Sequence, residues 1–107
     1  MGPKAREFLS SLAAAVKARD KQKVAAMVRY PLNVYADGEH RLVRRRSEFV
    51  TDYNRLFTPA VRKAIEKQMP ECLFANWQGV MIGDGEVWFE EQKNGSMRIK
   101  TLNIPKR

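Results

Sequence analysis

Apolar residues recur at helical spacing in three stretches of the chain. The first follows Pro3, which suits the first turn of a helix, and its apolar positions lie on one face: Phe8, Leu12, Ala15 and Val16. A second, short stretch follows Asp20, whose side chain can cap a helix N-terminus. The third follows Ser47, another capping residue, and Thr58-Pro59 interrupts it with a capped restart that predicts a bend. We therefore expect helices over residues 4–19, 21–28 and 47–68.

Alternating apolar and polar residues elsewhere predict β-strands. Leu32 and Val34 alternate with polar neighbours, and Asp37-Gly38 after them is typical of a tight hairpin turn. Two further pairs of this kind, Asp84-Gly85 and Asn94-Gly95, separate runs rich in β-branched and aromatic residues. We expect strands over residues 32–36, 41–45, 72–77, 79–83, 86–92 and 97–103, the last four forming an antiparallel meander.

The last three predicted strands have large apolar residues on both faces. With two-residue loops at both turns, one face carries Val80, Ile82, Val87, Phe89, Glu91, Arg98, Lys100 and Leu102. The other face carries Met81, Gly83, Glu86, Trp88, Glu90, Met97, Ile99, Thr101 and Asn103. This register places Glu91 opposite Arg98 as a cross-strand ion pair. Helices can cover only one face, so we expect a homodimer in which a second copy covers the other.

Length and charge set the class of protein. At 107 residues, 44% of them hydrophobic and 30% charged, the chain has the size and composition of a single globular domain over residues 1–107. Its formal net charge of +8 permits binding to polyanions. The densest basic segment supplies the candidate residues Arg41, Arg44, Arg45 and Arg46. Aromatic residues for base stacking are not interleaved with them, so any nucleic-acid binding is expected to be non-specific and sensitive to salt.

The sequence has few features that indicate cellular location or redox chemistry. The apolar runs are far shorter than a membrane span, and charged residues interrupt the N-terminal segment where a secretory leader would be continuously apolar. A cytoplasmic location is the default expectation, and a periplasmic or secreted one applies if a leader has been removed. Cys72 is the only cysteine and His40 the only histidine, so we expect no disulfide within the chain, no metal site and no cofactor.

Candidate catalytic groups are few. Asp52 and Tyr53 are adjacent in the third predicted helix, and Tyr30 precedes the first strand. A tyrosine hydroxyl can donate a hydrogen bond to a substrate while a carboxylate acts as base. Each of these residues also has an ordinary structural interpretation, as a core aromatic or a solvated helix residue.

The order helix, helix, hairpin, helix and four-strand meander resembles the nuclear transport factor 2-like superfamily, which includes ketosteroid isomerase, scytalone dehydratase and the SnoaL polyketide cyclases. The similar stretches are VAAMVRYPLNV, RRSEFVTDYNRLFTPAVRKAI, LFANWQGVMIGDGEVWF and RIKTLN. The resemblance implies an α+β fold in which a curved, cone-shaped antiparallel sheet is wrapped around N-terminal helices. It also implies a pocket in the open end of the cone and a homodimer through the convex sheet face.

The pocket implied by the resemblance would receive a small hydrophobic ligand. Its candidate lining residues are Tyr30, Tyr53, Phe57, Trp77, Trp88, Thr101 and Asn103. Thr101 and Asn103 occupy positions where the isomerases would have an acid, and the lone His40 lies beside a turn, which departs from the dehydratase pattern.

Three functions remain open. The first is a small-molecule-binding or accessory domain without catalysis, and it is favoured because no convincing acid–base pair is present. The second is a lyase or isomerase that uses Asp52, Tyr53 or Tyr30. The third is a weak polyanion-binding protein that uses the basic segment from Arg41 to Arg46.

Overall fold

The computed structural model describes residues 2–106, and within them the chain alternates helices with strands of one sheet. The elements in chain order are α1 (Pro3–Lys17), α2 (Lys21–Ala25), β1 (Val28–Ala36), β2 (Glu39–Val43), α3 (Arg46–Thr51), α4 (Tyr53–Leu56), α5 (Pro59–Lys67), a 3₁₀ turn (Pro70–Cys72), β3 (Phe74–Asn76), β4 (Gly79–Ile82), β5 (Val87–Glu91) and β6 (Met97–Ile104). The fold class is α+β, as the sequence predicts.

The six strands form an open sheet in the order β2-β1-β6-β5-β4-β3. All neighbouring strands are antiparallel except β1 and β6, which run parallel with Val34 beside Leu102. The prediction of a wholly antiparallel sheet is therefore wrong at this pair. Parallel neighbours need a long crossover, and the helices and strands between β1 and β6 supply it.

The first two helices form where the apolar spacing predicts them, but the second is shorter. Asp20 caps α2 by accepting a hydrogen bond from the amide of Lys23 at 3.1 Å. The predicted end at residue 28 is wrong, because β1 already begins at Val28. The amide of Ile99 donates to the carbonyl of Met27 at 2.8 Å, so pairing with β6 makes this segment part of the sheet.

The third predicted helix is divided into three. The helix-capping role predicted for Ser47 is wrong, because α3 begins at Arg46 with Arg45 as its N-cap. Thr58 caps α5 by accepting from the amide of Val61 at 3.4 Å, which confirms the predicted restart. The strand predicted over 72–77 is shortened to β3, because Pro70 opens a 3₁₀ turn before it.

One of the three predicted turns forms as expected. Asp37 and Gly38 both have positive φ and form a two-residue hairpin loop between β1 and β2. The β4–β5 pair keeps the predicted register, with Val80 beside Phe89, but the predicted two-residue loop is replaced by a four-residue turn over 83–86. The β5–β6 loop has three residues, because the amide of Gln92 donates to the carbonyl of Ser96 at 2.7 Å.

The longer loop shifts the β5–β6 register by one residue. Phe89 therefore lies beside Ile99, and a bulge at Lys100 restores the predicted pairing of Val87 with Leu102. Ile99 is fully buried on the Phe89 face, whereas the prediction placed it on the opposite face.

The ion pairs follow the shifted register. The predicted pair between Glu91 and Arg98 does not form. Glu91 instead binds Lys4 of α1 at 2.9 Å. Glu90, on the other face of the ribbon, binds Lys100 at 3.2 Å and Arg29 at 3.4 Å.

The core lies between the helices and the Phe89 face of the sheet. Phe8 of α1 packs on Phe89 with 4.6 Å between ring centroids. The sheet contributes Leu32, Val34, Val80, Ile82, Val87, Phe89, Ile99 and Leu102 to this core. The Phe89 face is therefore the inner face of the sheet, and Trp88 lies on the outer face.

Arg19, just beyond α1, has the left-handed φ of 56° that favours glycine. We expect Arg19→Gly to raise the free energy of unfolding by about 0.5–1 kcal/mol, because the left-handed strain is larger than the entropy that glycine adds to the unfolded chain. Urea denaturation measures the change. Ala18→Gly is the matched control, since φ there is −77° and glycine should lower stability by a similar amount. A loss of stability in both variants would contradict the prediction.

Candidate functional site

An aromatic cluster fills the interior between the helices and the inner face. Phe49 lies 6.0 Å from Tyr53, 5.8 Å from Phe57 and 6.5 Å from Tyr30, measured between ring centroids. Phe49 and Phe57 are fully buried and Tyr53 is 2% exposed. Side chains thus occupy the part of the interior in which the sequence prediction places a ligand.

The Tyr53 hydroxyl is buried without a hydrogen-bond partner among residues 2–106. Burial raises the pKa of this hydroxyl, and the guanidinium groups of Arg62 and Arg19 lower it to a smaller extent. Tyr53 therefore stays protonated at neutral pH and keeps a free donor within electrostatic reach of two cations.

Tyr30 is half-buried, and its hydroxyl donates to the carbonyl of Ala25 at 2.9 Å. Burial raises the pKa of Tyr30 to about 12, although the charge of Arg46 opposes the shift. A group with this pKa and a backbone acceptor is not available as a base at neutral pH.

The raised pKa of Tyr30 predicts a loss of stability in alkali. The unfolded state releases the phenolic proton near the ordinary value of about 10, before the folded state does, so stability is kept below this pH and falls between pH 10 and about 12. Urea midpoints measured from pH 8 to 11.5 check the fall. Tyr30→Phe should make the fall shallower. Identical profiles for the two proteins would contradict the prediction.

A cleft of about 480 Å³ lies between the C-terminal half of α1 and α5, and we name it the α1–α5 cleft. Its lining residues are Ala13, Ala14, Val16, Lys17, Arg19, Arg62, Ile65 and Glu66. The Arg62 guanidinium donates to the carbonyl of Phe57 at 2.8 Å, which fixes its position. The cleft combines an apolar floor with a basic rim.

A second cavity of about 450 Å³ lies between α5 and the β4–β5 turn, and we name it the α5–turn groove. Its lining residues are Ala60, Lys63, Ala64, Lys67, Gln68, Met69, Cys72, Gly83, Asp84 and Glu86. The Gln68 side-chain oxygen accepts from the amide of Gly83 at 2.7 Å and ties the helix to the turn. Within residues 2–106, no three His, Cys, Asp or Glu side chains cluster as metal ligands.

The outer face of the sheet carries a continuous row of side chains across all six strands. In register order the row is Leu42, Asn33, Thr101, Trp88, Met81 and Phe74. Its apolar half stays open to solvent: Phe74 is 51% exposed, and Met81 and Trp88 are partly exposed.

Polar and charged groups flank this row. Glu90 joins Arg29 and Lys100 on one side. On the other side His40 stacks on Tyr35, with ring centroids 4.5 Å apart, and hydrogen-bonds to Asn33 at 2.9 Å. The outer face therefore has an apolar part bounded by fixed polar groups.

The seven residues predicted to line a pocket do not share one cavity. Tyr30, Tyr53 and Phe57 lie together in the aromatic cluster. The remaining four lie elsewhere: Trp88, Thr101 and Asn103 on the outer face, and Trp77, 91% exposed, at the β3–β4 turn. Asn103 is held there by donating to the carbonyl of Gly85 at 2.6 Å.

No family model, curated protein or solved structure matches the chain. Its function is therefore inferred from geometry. Among residues 2–106, no helix has the length and apolar character of a membrane span.

The other candidate residues lie on the surface. Asp52 accepts a hydrogen bond from Arg41 at 3.3 Å, and Arg41 also lies 3.6 Å from Glu48. Asp52 and Arg41 therefore neutralise each other. Of the remaining basic candidates, Arg46 donates to the carbonyl of Gln22 at 3.0 Å. Arg44 and Arg45 have exposed side chains.

The sequence analysis missed Arg19 and Arg62, which the fold brings to the α1–α5 cleft. One local feature could have indicated Arg19. It follows the last residues of α1, where glycine or asparagine usually ends a helix, and the chain has neither there.

Proposed function

We propose that the chain is a small-molecule-binding or accessory domain without catalytic activity, with a nuclear transport factor 2-like fold, that works as a homodimer through the outer face of its sheet. The observation that carries the proposal is that outer face, which has an apolar, partly exposed half over β3, β4 and β5 and charged groups beside it. Interfaces between proteins combine an apolar core with a polar rim in this way. The order of the elements, and a sheet that continues from β2 to β3, support the fold.

A second copy of this chain is the partner that suits the outer face. Two chains of net charge +8 repel each other, so a patch with charges of both signs suits their association better than a wholly basic one. The outer face has both signs, since Glu90 forms ion pairs with Arg29 and Lys100. A twofold interface needs such a self-complementary patch.

The state of the candidate catalytic groups favours binding over a lyase or isomerase activity. Asp52 is paired with Arg41, and the Tyr30 hydroxyl is bonded to a backbone carbonyl. Tyr53 is buried in the core and stays protonated. The three groups therefore do not form an acid–base pair around a common cavity.

The two cavities on the helical side leave room for a ligand while the sheet is covered. Both the α1–α5 cleft and the α5–turn groove are within the size range of small-molecule sites. The proposed dimer covers the outer face and leaves these cavities open to solvent.

Light scattering behind a sizing column tests the dimer. At micromolar concentration we expect twice the monomer mass of 12.4 kDa. The measurement is repeated at physiological and at high salt, because apolar association persists as ionic strength rises whereas pairing through surface charges weakens. A monomer at both salt concentrations overturns the homodimer.

A further inference from the structure

We propose that the α1–α5 cleft binds a small organic anion, an apolar body that carries a carboxylate or a phosphate group. This inference specifies the ligand class of the binding function proposed above and rests on it. The observation behind it is that two arginines and a lysine surround an apolar floor.

The shape of the cleft suits an apolar body. Its floor consists of Ala13, Ala14, Val16 and Ile65, whose short or branched side chains present no hydrogen-bonding groups. Its volume of about 480 Å³ is in the lower half of the range for small-molecule sites. A single aromatic ring or a short aliphatic chain fits such a floor.

The charges on the rim suit an anionic head group. Lys17, Arg19 and Arg62 face one carboxylate, that of Glu66, so the cleft has a local excess of two positive charges. None of these three cations forms an ion pair within residues 2–106. Guanidinium groups bind carboxylates and phosphates through paired hydrogen bonds, and such pairs are among the stronger polar contacts in proteins.

Helix electrostatics account for only part of this arrangement. A lysine or arginine at the end of α1 is favoured by the negative end of the helix dipole, which explains Lys17 and Arg19. Arg62, however, lies one turn into α5, where the helix dipole gives a cation no advantage.

The backbone conformation at Arg19 favours glycine, yet the residue there is an arginine. Its φ of 56° is the region that glycine adopts without strain. An arginine in place of glycine at this helix end holds a guanidinium at the cleft, at the expense of backbone stability. Strain of this kind concentrates at functional sites.

Amide chemical shifts in a titration test the proposal with four probes. Phenyl phosphate and benzoate carry both an apolar ring and an anionic group, inorganic phosphate carries only the charge, and benzyl alcohol carries only the ring. We expect the two aromatic anions to shift the amides of residues 13–19 and 62–66, and to bind at least tenfold more tightly than the other two probes. The stronger of the two shows whether the site prefers a phosphate or a carboxylate.

Three variants separate the cleft from general surface charge. Arg62→Gln and Arg19→Gly should each weaken phenyl phosphate binding at least tenfold, and Arg19→Gly relieves backbone strain, so its loss of binding cannot come from misfolding. Arg6→Gln makes the same change of charge as Arg62→Gln on an exposed residue near the start of α1 and should leave binding unchanged.

Two outcomes overturn the anion site. One is equal weakening by Arg6→Gln, which would indicate non-specific attraction to a basic protein. The other is an absence of shifts in the cleft with any probe. Shifts confined to the α5–turn groove would overturn this inference but keep the proposed small-molecule binding, and the dimer is judged separately by light scattering.

Discussion

Phe89→Glu is expected to unfold the chain, whereas Trp88→Glu leaves it folded and prevents dimerisation. Phe89 is fully buried on the inner face and packs on Phe8. Burying an unpaired carboxylate there removes the aromatic packing and leaves the charge without solvent, which costs about 4 kcal/mol or more. That loss is comparable to the total stability of a small domain.

Trp88 is the next residue of the same strand and lies on the opposite face, so it is the matched control. In the monomer the substitution is close to neutral, because Trp88 is already partly exposed. In the proposed dimer it removes a central aromatic and introduces charge into an apolar patch. We expect the dimer to weaken by roughly a hundredfold or more, in line with a loss of about 3 kcal/mol at an interface hot spot.

Circular dichroism and light scattering distinguish the two variants. A folded Phe89→Glu protein would contradict the assignment of the inner face. A Trp88→Glu protein that is as dimeric as the wild type would place the interface elsewhere on the molecule.

Gly79→Ala is expected to destabilise the chain by about 2–5 kcal/mol. Gly79 begins β4 with φ of 128°, a conformation that side chains rarely adopt. A Cβ atom there would lie 2.7 Å from the carbonyl oxygen of Phe89. This neighbour is backbone of the adjacent strand, so β4 and β5 must separate to make room.

Gly38→Ala is the control that separates backbone strain from the clash. Gly38 also has positive φ, 75°, but a Cβ atom there meets nothing within 4 Å. Its expected cost is about 1–2 kcal/mol, from the left-handed conformation alone. Urea denaturation of both variants measures the difference, and equal losses would contradict a steric conflict at Gly79.

The Asx-Gly pairs predicted where the turns lie but not how long each loop is. Asp37-Gly38 forms the expected two-residue loop. Asn94-Gly95 closes a three-residue loop in which Gly95 has a φ of 88°. Since side chains alternate along a strand, the extra residue moves Ile99 to the core, and only the bulge at Lys100 returns Leu102 to the predicted face.

The helices were predictable where their caps are local and less so where distant strands compete. Thr58 and Asp20 cap the helices that they were expected to cap. The segment after Ala25 was expected to stay helical, but the strand around Ile99 pairs with it from more than 70 residues away. Helical spacing of apolar residues cannot reveal such a contact.

Sequence patterns could not predict the α1–α5 cleft. Arg19 and Arg62 are 43 positions apart, and only the packing of α1 against α5 brings them together. Tyr53 was predicted as a pocket residue, but it belongs to the apolar face of its helix, and its ring lies in the core. Its unpaired hydroxyl appears only in the folded structure.

The central position of β6 has a consequence for synthesis of the protein. A nascent chain that has not reached residue 97 contains two separate half-sheets, β2-β1 and β5-β4-β3, each with an unpaired edge. Unpaired strand edges attract other chains. The sheet can therefore be completed only after residues 97–104 have been synthesised. Until then the nascent chain can aggregate with other chains through its unpaired strand edges.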